Sequence, residues 1–120
     1  MTRLQSVRIF TSSFQRKLES SLWRAMKQPC VYMLASDWKG TLYVGVTSDL
    51  VKRIWEHKND AVAGFTKKYR IHNLVWFEQH ETMESAIARE KAIKAWKRPW
   101  KIDVIEASNP RWQDLYPNLL

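Results

Sequence analysis

The stretch TLYVGVTSDLVKRIWEHK, residues 41–58, joins two kinds of secondary structure. Its first half alternates like a β-strand and then breaks at Gly45, a residue without a side chain. Its second half begins a helix at Ser48 or Asp49, because a short polar side chain there can accept a hydrogen bond from the first free backbone N–H groups. The stretch therefore predicts a strand that leads directly into a helix ending near Lys58.

The rest of the chain predicts a small sheet with helices against it, with no internal repeat. Two strands joined by the turn SDWKG form a hairpin, and a third strand follows the polar, basic loop NDAVAGFTKKYRIH. In the irregular tail we expect Trp112, Leu115 and Tyr116 to pack back on the core. The predicted elements are strands Val31–Ala35, Thr41–Val46 and Leu74–Phe77, a helix from Thr82 as cap through Met83 to about Lys97, and a helix with Pro99 in its first turn that runs through Ala107.

A chain of 120 residues is long enough for one domain and too short for two. Residues 1–27 are basic and rich in Ser and Arg, which fits either a targeting peptide or a flexible extension with the working domain starting after Met26. We favour the extension, because the segment has no hydrophobic core typical of a secretory signal. We expect the domain over residues 28–116 and a short tail over 117–120.

The overall charge indicates a polyanionic partner. Lys and Arg total 20 against 12 Asp and Glu, a net charge of +8, which suits nucleic acid or an acidic membrane surface. No apolar run approaches the roughly 20 residues that a membrane span requires. The single Cys30 cannot form an intrachain disulfide, so we expect it to be a small buried side chain in a protein of the reducing cytoplasm.

A glutamate lies on the apolar face of the longest predicted helix. On a helical wheel Met83, Ala86, Ile87 and Ile93 all fall within about 60° of Glu90. A carboxylate that faces a sheet needs a partner, because desolvating the anion costs several kcal/mol. Two interpretations stay open here, namely ordinary helix ion pairs with Lys94 and Lys97, or a divalent metal bound at the edge of the core.

Four further side chains can converge on the same end of the sheet. Arg53 and His57 lie about 40° apart on the first helix, and Tyr32 and Tyr43 lie on the two hairpin strands. Each residue alone has an ordinary interpretation in packing or solvation, but the set suits phosphodiester hydrolysis. An arginine can clamp the phosphate, a metal can polarise it, and a phenol near a cation can act as a base.

These residues resemble the GIY-YIG nuclease family. CVYML followed by LYVGV is similar to the paired tyrosine motif, and Arg53, His57 and Glu90 stand where the family carries its arginine, histidine and metal-binding glutamate. GFTKKY and NPRWQDLY resemble the small single-domain bacterial members, and the resemblance covers residues 28–116. It implies an α+β (α/β) fold with a three-stranded antiparallel sheet flanked by helices. It also implies a DNA endonuclease dependent on Mg²⁺ or Mn²⁺, without a small-molecule cofactor.

The resemblance also assigns roles to the catalytic candidates. Tyr43 or Tyr32 is the general base, Arg53 binds the scissile phosphate, His57 assists proton transfer, and Glu90 holds the metal. The sequence departs from the family pattern at Cys30-Val31-Tyr32, at Val44, and at Val46, where some members carry a lysine. Asn109 is the nearest candidate for an asparagine that many members use after the glutamate helix.

Two basic runs flank these residues and predict contacts to DNA phosphates. Such contacts do not read a base sequence, and no base-reading module accompanies them. We therefore expect structure-specific or nonspecific cleavage, in DNA repair or processing, with Trp55 or Trp100 available to stack on a base. A DNA-binding module without cleavage and an adaptor with an aromatic tail are the alternatives. The predicted DNA-binding residues are Lys67, Lys68, Arg70, Lys91, Lys94 and Arg98.

Overall fold

A computed structural model of the chain describes residues 28–61 and 64–120. The predicted N-terminal extension over residues 1–27 lies outside the described residues. In chain order the elements are β1 (Cys30–Ala35), β2 (Leu42–Thr47), α1 (Leu50–Lys58), α2 (Phe65–Lys68), β3 (Asn73–Gln79), α3 (Met83–Ala95), α4 (Arg98–Ser108) and a 3₁₀ helix (Tyr116–Leu119).

The three strands form one antiparallel sheet in the order β2-β1-β3, with β1 in the centre. The predicted hairpin is confirmed, and its register places Tyr32 of β1 opposite Gly45 of β2 and Phe77 of β3. The α+β fold with a three-stranded antiparallel sheet and flanking helices is therefore confirmed. In the described part of the chain, no helix combines the length and apolarity needed to cross a bilayer.

Side chains of β1 alternate between two buried clusters, one on each face of the sheet. Val31, Met33 and Ala35 pack with α3 and α4, whereas Cys30, Tyr32 and Leu34 pack with α1 and the C-terminal segment. All six side chains are buried, so both faces of the central strand are covered. Burial also raises the pKa of the Cys30 thiol, which is the behaviour expected of the small buried side chain that we predicted.

The helix starts follow the predicted caps. The Asp49 carboxylate accepts a hydrogen bond from the Lys52 N–H at 3.3 Å, and the Thr82 hydroxyl accepts one from the Ser85 N–H at 3.1 Å. Pro99 lies in the first turn of α4, as predicted. The helix α3 ends at Ala95, two residues before the predicted end.

The prediction of a continuous loop over residues 59–72 is wrong in one place, because residues 65–68 form the short helix α2. The turn is made possible by Gly64, whose φ of 103° lies in the region that favours glycine. Thr66 and Ile71 are buried beneath it, and the Ile71 N–H donates to the Thr66 carbonyl at 2.9 Å. Two buried side chains therefore anchor a segment that reads as polar and basic.

The C-terminal segment packs on the core, as predicted for Trp112, Leu115 and Tyr116. Leu119 is also buried, beyond the boundary predicted at residue 116. Asp114 ties the segment down: its carboxylate accepts hydrogen bonds from the N–H groups of Leu74 and Tyr116 and lies 2.5 Å from Lys58 Nζ. One carboxylate therefore joins β3, α1 and the chain end.

We expect Asp114→Ala to lower the free energy of unfolding by about 1–3 kcal/mol, because two backbone N–H groups lose their acceptor and Lys58 loses its counter-ion. Asp114→Asn keeps an acceptor oxygen, so its free energy of unfolding should fall by a smaller amount. Urea unfolding followed by circular dichroism measures the difference. Asp103→Ala, at an exposed aspartate of α4, is the control. An equal effect of the changes at Asp103 and Asp114 would show that Asp114 does not anchor the segment.

Candidate active site

Tyr32 is the centre of a polar group of side chains within the buried cluster that packs with α1 and the C-terminal segment. Its side chain is 2% exposed and points across the hairpin toward Gly45. A Cβ atom at position 45 would lie 2.5 Å from both Cζ and the hydroxyl oxygen of Tyr32, closer than real Cβ contacts allow. The sequence indicated that the strand breaks at Gly45, but β2 continues through this residue. Gly45 instead leaves room for the Tyr32 phenol within β2.

His57 joins α1 to this phenol. Its Nε2 atom lies 3.0 Å from the Tyr32 hydroxyl oxygen, and its Nδ1 atom lies 3.1 Å from Thr66 Oγ1. The residue is only 2% exposed, so the helix edge predicted from the sequence is here a buried face. Both nitrogens of the ring have hydroxyl partners, and Thr66 was not among the residues predicted for the site.

The imidazole is held neutral. The pKa of His57 is lowered from 6.5 to about 4, first by burial and then by the positive charge of Arg53. A neutral imidazole donates one hydrogen bond and accepts one. Because a hydroxyl can also donate or accept, the hydrogen bonds that join Tyr32, His57 and Thr66 can all point from Tyr32 to Thr66 or all point the opposite way.

Tyr43 lies against the pair on the more exposed side. Its ring centroid is 6.2 Å from that of Tyr32 and 5.6 Å from that of His57, and its side chain is half-buried. The pKa of Tyr32 is well above its usual range, mainly because of burial and also because of the Tyr43 side chain. The buried phenol therefore stays protonated, and Tyr43 is the phenol open to a ligand.

Arg53 brings the positive charge of the site. Its guanidinium is 41% exposed and lies 3.6 Å from the Glu56 carboxylate. Its charge lowers the pKa of both Tyr32 and His57, and in neither group is it the largest cause. The Arg53 charge acts on the buried pair Tyr32 and His57, and its guanidinium still reaches solvent. It can therefore bind an anion placed above the tyrosines.

Glu90 of α3 also acts on Tyr32, since its charge contributes to the raised pKa of that phenol. Its side chain is 12% exposed and its Oε2 atom lies 2.6 Å from Lys94 Nζ, so the predicted ion pair with Lys94 is present. Ala86 and Ile93 are buried, but Ile87 is 38% exposed. The prediction that Ile87 faces the sheet is therefore wrong, and Glu90 lies at the border of the apolar stripe.

The residues fit a divalent metal held by one carboxylate. Over residues 28–61 and 64–120, no three His, Cys, Asp or Glu side chains form a metal-binding group. Mg²⁺ commonly binds through one or two carboxylates and keeps water and phosphate oxygens as its other ligands. Glu90 can be that carboxylate, because its partner Lys94 is 52% exposed and can turn into solvent.

Other predicted site residues lie elsewhere. The Asn109 side chain is buried at the end of α4, where its amide donates to the carbonyls of Val75 and Gln113 and its oxygen accepts from the Gln113 N–H. These contacts are those of a helix end, and a catalytic role for Asn109 stays a prediction. The six residues predicted to bind DNA are all exposed, although Arg98 donates to the carbonyls of Lys39 and Gly40.

We expect the free energy of unfolding to fall by up to about 3 kcal/mol as the pH drops from 6.5 to 4, because of His57. In that window the unfolded chain binds a proton at His57 and the folded chain does not, so acid favours unfolding. Urea unfolding at several pH values measures the loss. His57→Gln should flatten this part of the profile. A His57 that titrates near 6.5 by NMR would contradict the prediction.

Comparison with known proteins identifies the family of the chain. A family model described as the GIY-YIG catalytic domain matches residues 28–103. The UPF0213 protein SSP2268 of Staphylococcus saprophyticus is 39% identical over 66 residues, which is 55% of this chain and 80% of the relative. The UPF0213 protein of Staphylococcus aureus strain Mu3 is 36% identical over 67 residues, 56% of this chain and 82% of the relative. No solved structure shows a significant match. Because the family model spans more than half of the chain, the chain belongs to the GIY-YIG family of nuclease domains.

Proposed function

We propose that the protein is a divalent-metal-dependent endonuclease that hydrolyses phosphodiester bonds of DNA, in repair or processing. The observation that carries this proposal is the arrangement around Tyr32. Its buried hydroxyl is 3.0 Å from the neutral imidazole of His57, its ring lies against Tyr43, and the charges of Arg53 and Glu90 both act on it. The free thiol of Cys30 is compatible with the reducing cytoplasm, where we place this activity.

Arg53 and Glu90 supply the charges that the reaction needs. We propose that the Arg53 guanidinium binds the scissile phosphate and stabilises the negative charge that develops on it. Glu90 would hold Mg²⁺ or Mn²⁺, which when bound polarises the phosphate and favours ionisation of water. Phosphate binding releases Arg53 from Glu56, an exposed pair of little energetic weight.

The positions of the two phenols favour Tyr43 as the general base. Tyr32 is buried and its pKa is well above its usual range, so its hydroxyl keeps its proton and is not available as a base. Tyr43 is half-buried, so it can release its own proton to solvent, and water beside a bound phosphate can then give a proton to its oxygen. Tyr32 and His57 then support Tyr43 from the buried side. A hydrogen bond from the Tyr32 hydroxyl would stabilise negative charge on the Tyr43 oxygen.

Thr66 positions the imidazole in this scheme. For the Tyr32 hydroxyl to donate a hydrogen bond to His57, Nε2 must carry a lone pair, and then Nδ1–H must donate to Thr66. In the opposite direction, Thr66 donates to Nδ1 and Nε2–H donates to Tyr32. The threonine hydroxyl can donate or accept, so it satisfies both states of the buried ring and permits the change of direction.

The central test is cleavage of labelled single-stranded, duplex, flap and branched DNA with Mg²⁺ or Mn²⁺. We expect Tyr43→Phe and Glu90→Gln each to lower the cleavage rate about 100-fold or more, because each removes a group that acts at the reacting phosphate. Matched controls are Tyr116→Phe and Glu84→Gln, a second phenol and a second α3 carboxylate. Both should leave the rate unchanged.

One result would contradict the assigned residues, and another would contradict the endonuclease itself. Equal losses in the controls would show that the variants act through stability. Binding of DNA without cleavage by the wild type, on every substrate and with both metals, would instead favour a DNA-binding module on the same fold. The ion pair between Glu90 and Lys94 at 2.6 Å is the observation that favours this second candidate, because it occupies the carboxylate.

The role of Thr66 gives a separate prediction. Thr66→Val leaves Nδ1 of the buried imidazole without a partner and loosens the ring that holds Tyr32, so we expect the cleavage rate to fall about tenfold or more. Thr66→Ser keeps the hydroxyl and should restore most of the rate. The pH dependence of the rate separates this role from packing: it should change in the valine variant and stay as wild type in the serine variant. Equal rates and profiles in both variants would exclude the role.

A further inference from the structure

Three aromatic rings form a continuous row from the site to the surface. The Tyr43 and Phe65 ring centroids are 6.5 Å apart with an interplanar angle of 27°, and those of Phe65 and Tyr69 are 4.8 Å apart. Phe65 and Tyr69 are 47% and 46% exposed. We call these two exposed residues the aromatic platform, and its inner end touches the phenol that we propose as the base.

The platform is built by a helical turn with two different sides. Residues four apart on a helix lie on the same side, so Phe65 and Tyr69 face outward together. Thr66, between them in sequence, is 3% exposed and contacts His57. The rings thus stay in solvent on a segment whose other side is fixed in the core, and large apolar rings exposed beside a site indicate a binding surface.

The charge around the platform identifies the class of ligand. Residues 64–70, GFTKKYR, contain three basic residues and no acidic one, and Lys67, Lys68 and Arg70 are all exposed. Lys68 Nζ lies 5.4 Å from the centroid of the Tyr69 ring. Aromatic rings alternating with basic side chains are the pattern by which proteins bind single-stranded nucleic acid, the rings stacking on bases and the cations contacting phosphates.

We infer that the aromatic platform stacks on an unpaired nucleobase of the DNA next to the scissile phosphate, so that the preferred substrate has a single-stranded segment at the cleavage position. This inference rests on the proposed function and refines its substrate. A base inside a duplex has both faces covered by its neighbours and cannot offer one to Phe65 or Tyr69 without unstacking.

The two tryptophans predicted to stack on a base are less suitable than the platform. Trp55 is 53% exposed, and it lines a shallow depression of about 290 Å³ together with Val51 and Tyr116. Trp100 is 58% exposed and packs edge-on against Trp96, with the two ring centroids 6.3 Å apart. Neither ring continues the row that begins at Tyr43, whereas Phe65 does.

The test measures binding apart from cleavage. In the Glu90→Gln protein, fluorescence anisotropy gives the dissociation constants for a labelled single strand of about 12 nucleotides and for a duplex of the same sequence. Replacing Phe65 and Tyr69 together by Ala should weaken single-strand binding about 5- to 150-fold for each base that loses its stacking partner. Duplex binding should change by less than about twofold, because phosphate contacts dominate it.

Matched variants separate stacking from charge and from folding. Phe65→Leu with Tyr69→Leu keeps apolar bulk and should still weaken single-strand binding. Lys67→Ala with Lys68→Ala should weaken both DNA forms alike and reduce the salt dependence. Trp55→Ala should weaken single-strand binding less than the alanine variant of the platform does. Circular dichroism and thermal unfolding of each variant confirm that the chain is folded.

A scan with abasic nucleotides locates the stacked base. Removing the stacked base from the DNA should weaken binding by the protein with the intact platform. The same removal should not weaken binding further when Phe65 and Tyr69 are both Ala, because the DNA change and the protein change remove the same interaction. Additive losses at every position would overturn the inference, as would an unchanged ratio of single-strand to duplex affinity in the alanine variant. Cleavage by a protein that fails this test would leave the proposed function standing. Absence of both binding and cleavage in the wild type would overturn both proposals.

Discussion

The hydrogen bond between the Tyr32 hydroxyl and His57 Nε2 is the contact on which the arrangement of the site depends. It joins the central strand to α1 through two side chains that are each 2% exposed. A buried polar group without a partner costs about 1–3 kcal/mol, so the phenol and the imidazole hold each other in place. The hairpin and α1 must be assembled before the phenol is satisfied, and the α2 segment must be in place before both nitrogens of the imidazole are.

This pair sets strict requirements on its surroundings. On the strand side only glycine fits at position 45, because a Cβ atom would meet the phenol at 2.5 Å. On the other side the second ring nitrogen needs a partner, and Thr66 reaches it from a four-residue helix. The short α2 turn, which contributes little apolar burial, is therefore explained by the polar group it delivers and not by packing.

The sequence predicted the strands, the caps at Asp49 and Thr82, and the convergence of two tyrosines on one hairpin, because these follow from local periodicity and capping chemistry. It did not predict the partner of His57, since Thr66 lies in a stretch whose composition indicates a loop and whose contact is set by the fold. Likewise, a helical wheel treats Ile87 and Glu90 as one stripe, but only tertiary packing decides where the edge of the sheet falls.

Chemistry and substrate contact meet in the segment over residues 64–70. Its inner side chain fixes the imidazole behind Tyr32, while its outer rings continue from Tyr43 into solvent. Because Phe65 and Thr66 are adjacent in sequence, one turn presents the outer rings and holds the hydroxyl bound to His57. A base stacked on Phe65, as we propose, would bring its phosphate toward Tyr43 above a hydrogen-bonded chain that is already buried, so the position of the substrate and the organisation of the site depend on the same turn.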